Sequence, residues 1–230
     1  MSLSPADITA IWLSLKIASV ATLVSLPFAV AVAWLLARRD FFGKSLLNGI
    51  VHLPLVLPPV VTGYLLLVTF GKKGAVGEML DACCGLVLSF RWTGAALACA
   101  IMAFPLSVRA IRLALETVDT KLEAAASTLG ATPLHVFATI TVPLAFPGIL
   151  AGAVLGFAKA LGEFGATITF VSNIPGETQT IATAIYGHTQ SPGGDAPAMQ
   201  LTVISVAIAM VALMASEMLA RRVSRKAADL

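Results

Sequence analysis

Charge is scarce in this chain: 12% of its 230 residues are Asp, Glu, Lys or Arg, about half of the ~25% usual in soluble domains. With 58% hydrophobic residues, that scarcity excludes a soluble globular protein. Histidine and cysteine are few as well. His52, His135 and His188 lie far apart, and Cys83, Cys84 and Cys99 are an odd set with two adjacent. No spacing among them matches a metal-ligand pattern, so no metal site is expected and the cysteines read as small membrane residues. An exposed Cys83–Cys84 pair keeps a minor reading as a reactive dithiol. Acids do not cluster and no Ser/His/Asp set is visible, so an integral-membrane enzyme would lack a catalytic centre. Phe42-Gly43-Lys44-Ser45 imitates the end of a phosphate-binding loop, but the required first glycine falls on Arg38 and no apolar strand precedes it. No nucleotide site, and hence no cofactor, is expected in this chain.

What is present is apolar length. Five runs approach or exceed the ~20 residues that cross a bilayer as helix, at about 8–37, 45–70, 93–115, 146–171 and 200–220. The first lacks a basic leader and carries its charges after the apolar stretch, so it reads as a span and not as a signal peptide. The expected fold class is all-α integral membrane, a single transmembrane domain over residues 1–230 with five transmembrane helices. Arg38, Arg39 and Lys44 follow the first span, Arg109, Arg112 and Lys121 flank the end of the third, and Arg221, Arg222, Arg225 and Lys226 form the tail. All three groups fall on one side if the N-terminus is outside, whereas residues 172–199 carry no Lys or Arg. The positive-inside rule then gives N-out and C-in. The formal net charge of +3 is explained by these anchors and asks for no nucleic acid.

Residues 116–143 thus form an inner-side loop between spans three and four. Thr120 with Glu123 reads as a capping box. Leu122, Ala125, Ala126 and Leu129 recur at helical spacing as a narrow stripe of mostly small side chains. Gly130 supplies a left-handed end, and Thr132-Pro133 restarts a helix. A short helical hairpin with a small apolar face requires something to dock against. The pattern resembles the EAA loop of permease subunits of ATP-binding-cassette importers: Ala125 and Ala126 fit its two alanines, Gly130 its glycine, and Ile140-Thr141-Val142-Pro143 its ending. Its usual acid falls on Ala124, with Glu123 one residue early, and its leucine is Val142. The resemblance implies that Glu123, Ala125, Ala126, Leu129, Gly130, Pro133, Ile140 and Pro143 couple the permease to an ATPase subunit that holds ATP and Mg.

Two spans carry the features of a path. Span two contains Pro54, Pro58, Pro59 and Gly63, which predict a bent or broken helix, and such a helix lines a cavity when it lies at membrane depth. His52, inside its cytoplasmic end, reads as a polar group at the path mouth or as a hydrogen-bonded interfacial histidine. Span four carries Gly148, Gly152 and Gly156 as a close-packing face. Lys159 and Glu163 follow at i, i+4, either a functional pair or a structural one. Gly162, Gly165, Thr167 and Thr169 are expected to continue that helix and to offer backbone and hydroxyl groups to an anion.

The segments Leu53–Leu67 and Ala158–Ile181 resemble those of oxyanion-importing permeases of the molybdate kind, the second also those of sulfate and thiosulfate importers. The resemblance runs from Trp12 to Ala220. It implies a pathway formed with a second copy of the chain, two ATPase subunits, a periplasmic oxyanion-binding protein and a bacterial inner-membrane location. Pro58, Pro59, Lys159, Glu163, Gly165, Thr167 and Thr169 are then the expected gate and pathway residues. Tungstate and sulfate remain alternatives to molybdate. A secondary transporter is a further alternative, one that leaves the inner-side hairpin unexplained. Between Ser172 and Met199 a short outer-side helix, too polar to cross, is expected to meet the delivery protein.

Overall fold

A computed structural model of the chain describes residues 3–228, with side chains described through Ala215 and at Met218. The tail anchors Arg221, Arg222, Arg225 and Lys226 therefore have side chains outside the described residues. Every regular element among the described residues is helical, as a lipid-embedded backbone requires. Helix α1 (Pro5–Arg38) starts on a capping box in which the Ser4 hydroxyl accepts from the Asp7 N–H at 3.1 Å and the Asp7 carboxylate accepts from the Ser4 N–H at 3.2 Å. Helices α2 (Lys44–Val56) and α3 (Pro59–Phe70) divide the apolar run expected as the second span, with a bend of 111° between them. Pro58 and Pro59 lack the N–H groups that would carry α2 onward, and each proline disfavours helical geometry in the residue before it.

Helix α4 (Ala75–Cys84) lies in the outer connection, and α5 (Trp92–Thr117) is the third span. The hairpin consists of α6 (Thr120–Thr128) and α7 (Pro133–Val136). A π-helical turn over Phe137–Thr141 then leads directly into α8 (Val142–Leu161). The second arm of the hairpin is thus continuous with the fourth span. After a break at Gly162–Phe164 comes α9 (Gly165–Val171), then α10 (Ile181–Thr189) and α11 (Asp195–Ala228). Among the described residues four helical segments are long and apolar enough to cross a bilayer, and the bent α2–α3 pair is so only when its two helices are taken together. The expected outer-side helix is α10. It is fastened to α1 by His188 Nε2 against Asp7 Oδ1 at 2.8 Å and by the Ile181 N–H donating to Ser14 Oγ at 2.7 Å.

Helix α5 sits at the centre, packed on α1 and α8. Ala29, Ala33 and Leu36 of α1 and Val108, Ile111 and Leu115 of α5 are fully buried in one cluster. The Gly148/Gly152/Gly156 face meets α5 as expected: a side chain added at these positions would run into Ala114, Ile111 and Ser107. Ser107 Oγ donates across that contact to the Gly152 carbonyl at 2.9 Å. Small residues let the two backbones approach, and this packing replaces the hydrophobic drive that lipid does not provide. At the outer end Lys16 lies over the Trp92 ring, 3.6 Å from its centroid, an interfacial cation–π contact.

Candidate coupling hairpin and translocation path

The hairpin folds as its sequence dictates, with one correction at its start. Asp119, not Thr120, is the N-cap of α6, its carboxylate accepting from the Lys121 N–H at 2.9 Å. An ionised carboxylate at a helix N-terminus competes well against a threonine hydroxyl. Glu123 is then released from the expected capping box. It accepts from Arg38 Nη2 at 3.2 Å and from Thr141 Oγ1 at 2.7 Å. The same Arg38 nitrogen donates to the Val118 carbonyl at 2.9 Å. One carboxylate therefore joins the end of α1, the start of the hairpin and the π-helical turn that enters α8. The Trp34 and Phe137 rings meet edge-on at 5.8 Å beside it, and a recess of about 340 Å³ opens between these groups. At the neighbouring turn, the hydrogen bond and charge of Lys44 hold the Asp40 carboxyl below its ordinary range.

The turn itself is a Schellman motif. Gly130 has φ +87°, its N–H donates to the Ser127 carbonyl at 3.0 Å, and the Ala131 N–H donates to Ala126 at 3.1 Å. Thr132 caps α7 by accepting from the His135 N–H at 3.4 Å. No residue of α6 is buried. Leu122 is 49% exposed, Leu129 89% and Leu134 77%. Ala125, Gly130 and Pro133 are exposed beside them, and Ala126 is half-buried. The apolar face read from the sequence is therefore free in this chain. Ile140 lies in the π-helical turn, and Pro143 occupies the first turn of α8.

The residues expected to line a path lie at two helix breaks. A Cβ at Gly165 would lie 2.7 Å from Pro59 Cβ, and one at Gly63 would lie 2.6 Å from the Ala166 carbonyl oxygen. The break after Pro58 in the second span therefore presses against the start of α9. Glu163 sits in the other break. Its side chain is 1% exposed, Oε1 accepts from the Ala166 N–H at 3.0 Å, and Oε2 accepts from Lys159 Nζ at 2.7 Å. It caps α9 and pairs with Lys159, whose side chain remains 30% exposed.

Two expectations here are corrected. The fourth span does not continue through Gly162 to Thr169, because Glu163 ends one helix and starts the next. Nor do the threonines offer their hydroxyls: Thr167 is fully buried and donates to Phe164 O at 2.9 Å, and Thr169 donates to Gly165 O at 2.9 Å. A hydroxyl in lipid finds its own helix carbonyl within reach. The alternatives for His52 are narrowed, since its Nδ1 lies 2.8 Å from the Asn48 carbonyl one turn back. Composition gave no signal for the roles of Arg38 and Thr141, because both depend on elements far apart in the chain.

The family model for binding-protein-dependent transport system inner membrane components matches residues 25–225. The chain belongs to that family. It is a multi-pass protein of the bacterial inner membrane and a transporter permease subunit. It is 59% identical over 228 residues to the molybdenum transport system permease protein ModB of Escherichia coli, covering 99% of each chain. The ModB of Haemophilus influenzae is 56% identical over 220 residues, covering 96% of each chain. The sulfate transport system permease protein CysT of Salmonella typhimurium is 35% identical, over 81% of this chain and 67% of its own. In fold, the chain resembles a bacterial ABC transporter that imports alginate (TM-score 0.75, 19% identity, covering 95% of this chain and 80% of that one). It also resembles the inward-facing MetNI methionine ABC transporter (TM-score 0.71, 16% identity, covering 94% and 95%). Among the described residues no group of three or more His, Cys, Asp or Glu could hold a metal.

Proposed function

We propose that this chain is the membrane-spanning subunit of an importer for molybdate, driven by ATP hydrolysis on a separate ABC ATPase. The observation that carries the reading is the 59% identity to a molybdenum transport permease, sustained over 99% of both chains. The assembly we infer has two copies of this chain about a shared path and two ATPase subunits holding ATP and Mg. A periplasmic oxyanion-binding protein delivers the dianion at the outer face, where α10 lies. The chain itself breaks no bond.

The exposed hairpin supports the drive. Leu122, Ala125, Ala126, Leu129 and Gly130 make a face for a groove on the ATPase, and Pro133, Ile140 and Pro143 carry the second arm into α8. Because α7, the π-helical turn and α8 are continuous, a displacement of the hairpin is delivered to the fourth span without a flexible joint. Glu123 ties the same movement to α1. Nucleotide then acts by favouring the packing in which the hairpins fit the closed ATPase pair, a shift between two populations. Pro58, Pro59 and Gly165, where the two broken spans touch, are the proposed gate, and Lys159 is its cation. Thr167 and Thr169 act there by packing.

Reconstitution tests the reading. With the ATPase and a molybdate-binding protein present, molybdate should stimulate ATP turnover and enter proteoliposomes, while sulfate should not. Stimulation by sulfate and its own binding protein, with molybdate inert, would move the assignment to the class of the 35% identical relative. Transport without any ATPase would end the proposal.

A further inference from the structure

A basic cavity of about 350 Å³ opens between α2 and α5, lined by Asn48, His52, Arg109, Arg112, Leu113 and Glu116. By the positive-inside topology it lies in the cytoplasmic third of the bundle. His52 is four residues before Val56, where α2 ends, about 6 Å at 1.5 Å per residue, so the cavity lies just inward of the helix break. Its polar groups are arranged and not merely collected. Arg112 Nε donates to Glu116 at 2.8 Å and Arg112 Nη1 donates to Asn48 Oδ1 at 3.3 Å, which fixes one guanidinium plane across the two helices. Arg109, one turn earlier on α5, forms no ion pair among the described residues. One acid against two guanidiniums leaves the lining positive, with its only carboxylate already engaged.

We infer that this cavity binds a tetrahedral oxyanion at the inner mouth of the path, with Arg109 as the principal donor. The inference rests on the oxyanion-importer reading. An arginine suits this task, because its fork of donors matches the oxygens of a tetrahedral anion. A water takes about 30 Å³, so 350 Å³ admits such an anion with part of its hydration. Partial hydration keeps the binding weak enough to release, as a conducting site requires. Arg109 and Arg112 thus have a second role besides orienting the chain in the membrane: they draw the dianion past the Pro59–Gly165 contact and hand it to the cytoplasm.

The test uses the permease–ATPase complex purified without nucleotide and without binding protein, freed of anionic lipid. Equilibrium dialysis with radioactive molybdate should show binding that Arg109→Gln weakens about tenfold, the loss typical of one charge-assisted donor, while Arg109→Lys keeps most of it. In proteoliposomes the same glutamine variant should slow uptake, with the concentration of loaded binding protein at half-maximal rate unchanged, since the cavity lies on the far side. Co-purification of the ATPase reports assembly of each variant. Wild-type binding and uptake by Arg109→Gln would overturn the inference. So would loss of tightly held phosphatidylglycerol from that variant, measured on complexes taken before the anionic lipid is removed, with oxyanion binding intact afterwards, because the cavity would then be a lipid-phosphate site. If the intact complex moves sulfate and not molybdate, the substrate reading fails, and the same variants are measured with radioactive sulfate to decide on the cavity.

Discussion

Arg38, the last residue of the first span, donates to Glu123 at 3.2 Å across 85 positions of sequence. The side chains are 12% and 21% exposed, so the pair is largely shielded from solvent and salt. Arg38→Ala should leave the Glu123 carboxylate with Thr141 alone, a loss of about 1–3 kcal/mol. The expected result is normal membrane insertion, faster proteolysis within residues 119–132, and oxyanion uptake reduced about tenfold. Thr141→Val, which keeps the ion pair, should cost less. Equal and wild-type uptake by both variants would remove Glu123 from the transmission path.

Gly130 calls for a different argument. A Cβ there would meet nothing within 4 Å, and only its φ of +87° resists a side chain. The penalty is therefore backbone strain of about 1–2 kcal/mol, largest for β-branched residues and least for asparagine. Gly130→Val should fray the turn and lower ATPase stimulation, whereas Gly130→Asn should retain most of it. Identical activity in the two variants would show that the turn's conformation does not matter to coupling.

The sequence made the apolar helices and the hairpin legible because each rests on local patterns: apolar length and a glycine at the right interval. The proline-broken second span belongs to the same class of signal. What stayed hidden depended on neighbours distant in the chain. Glu123 reads locally as the partner of Thr120, and only the approach of Arg38 and Thr141 shows otherwise. The break at Gly162–Phe164 was equally invisible, since a glycine in an apolar run is tolerated within a span. It took the Glu163 carboxylate, turned onto the Ala166 N–H, to mark a new helix start. Arg109 and Arg112 read as topological anchors until folding set them around a cavity with Asn48 and His52.

Gly63 tests the contact between the broken spans. An added methyl would stand 2.6 Å from the Ala166 carbonyl oxygen and 2.9 Å from its Cα, backbone atoms that cannot rotate aside. Gly63→Ala should lower the melting temperature of the detergent-purified complex, by an amount consistent with overpacking at about 1–3 kcal/mol, and should slow uptake further if α3 and α9 form the gate. Gly49→Ala, where a Cβ meets nothing within 4 Å, serves as the control and should leave stability unchanged or slightly raised. A Gly63→Ala complex as stable and active as the control would show that α3 and α9 part easily.

Lys159 and Glu163 separate structure from transport most sharply, because one carboxylate serves two partners. Glu163→Ala removes both the cap on α9 and the partner of Lys159, so it should be the most destabilising change in the span, near the lower end of the about 3–5 kcal/mol for breaking a buried pair. Glu163→Gln keeps an amide oxygen for the Ala166 N–H and should fall in between. Lys159→Met leaves the cap in place but strands the buried Glu163 carboxylate without its cation, so it should destabilise more than Glu163→Gln, which leaves only the more exposed ammonium unpaired. If that ammonium attracts the passing dianion, uptake per assembled complex should drop well below that of Glu163→Gln. Matching uptake in the two variants would assign the pair to helix capping alone, leaving Arg109 and Arg112 as the cationic groups of the path.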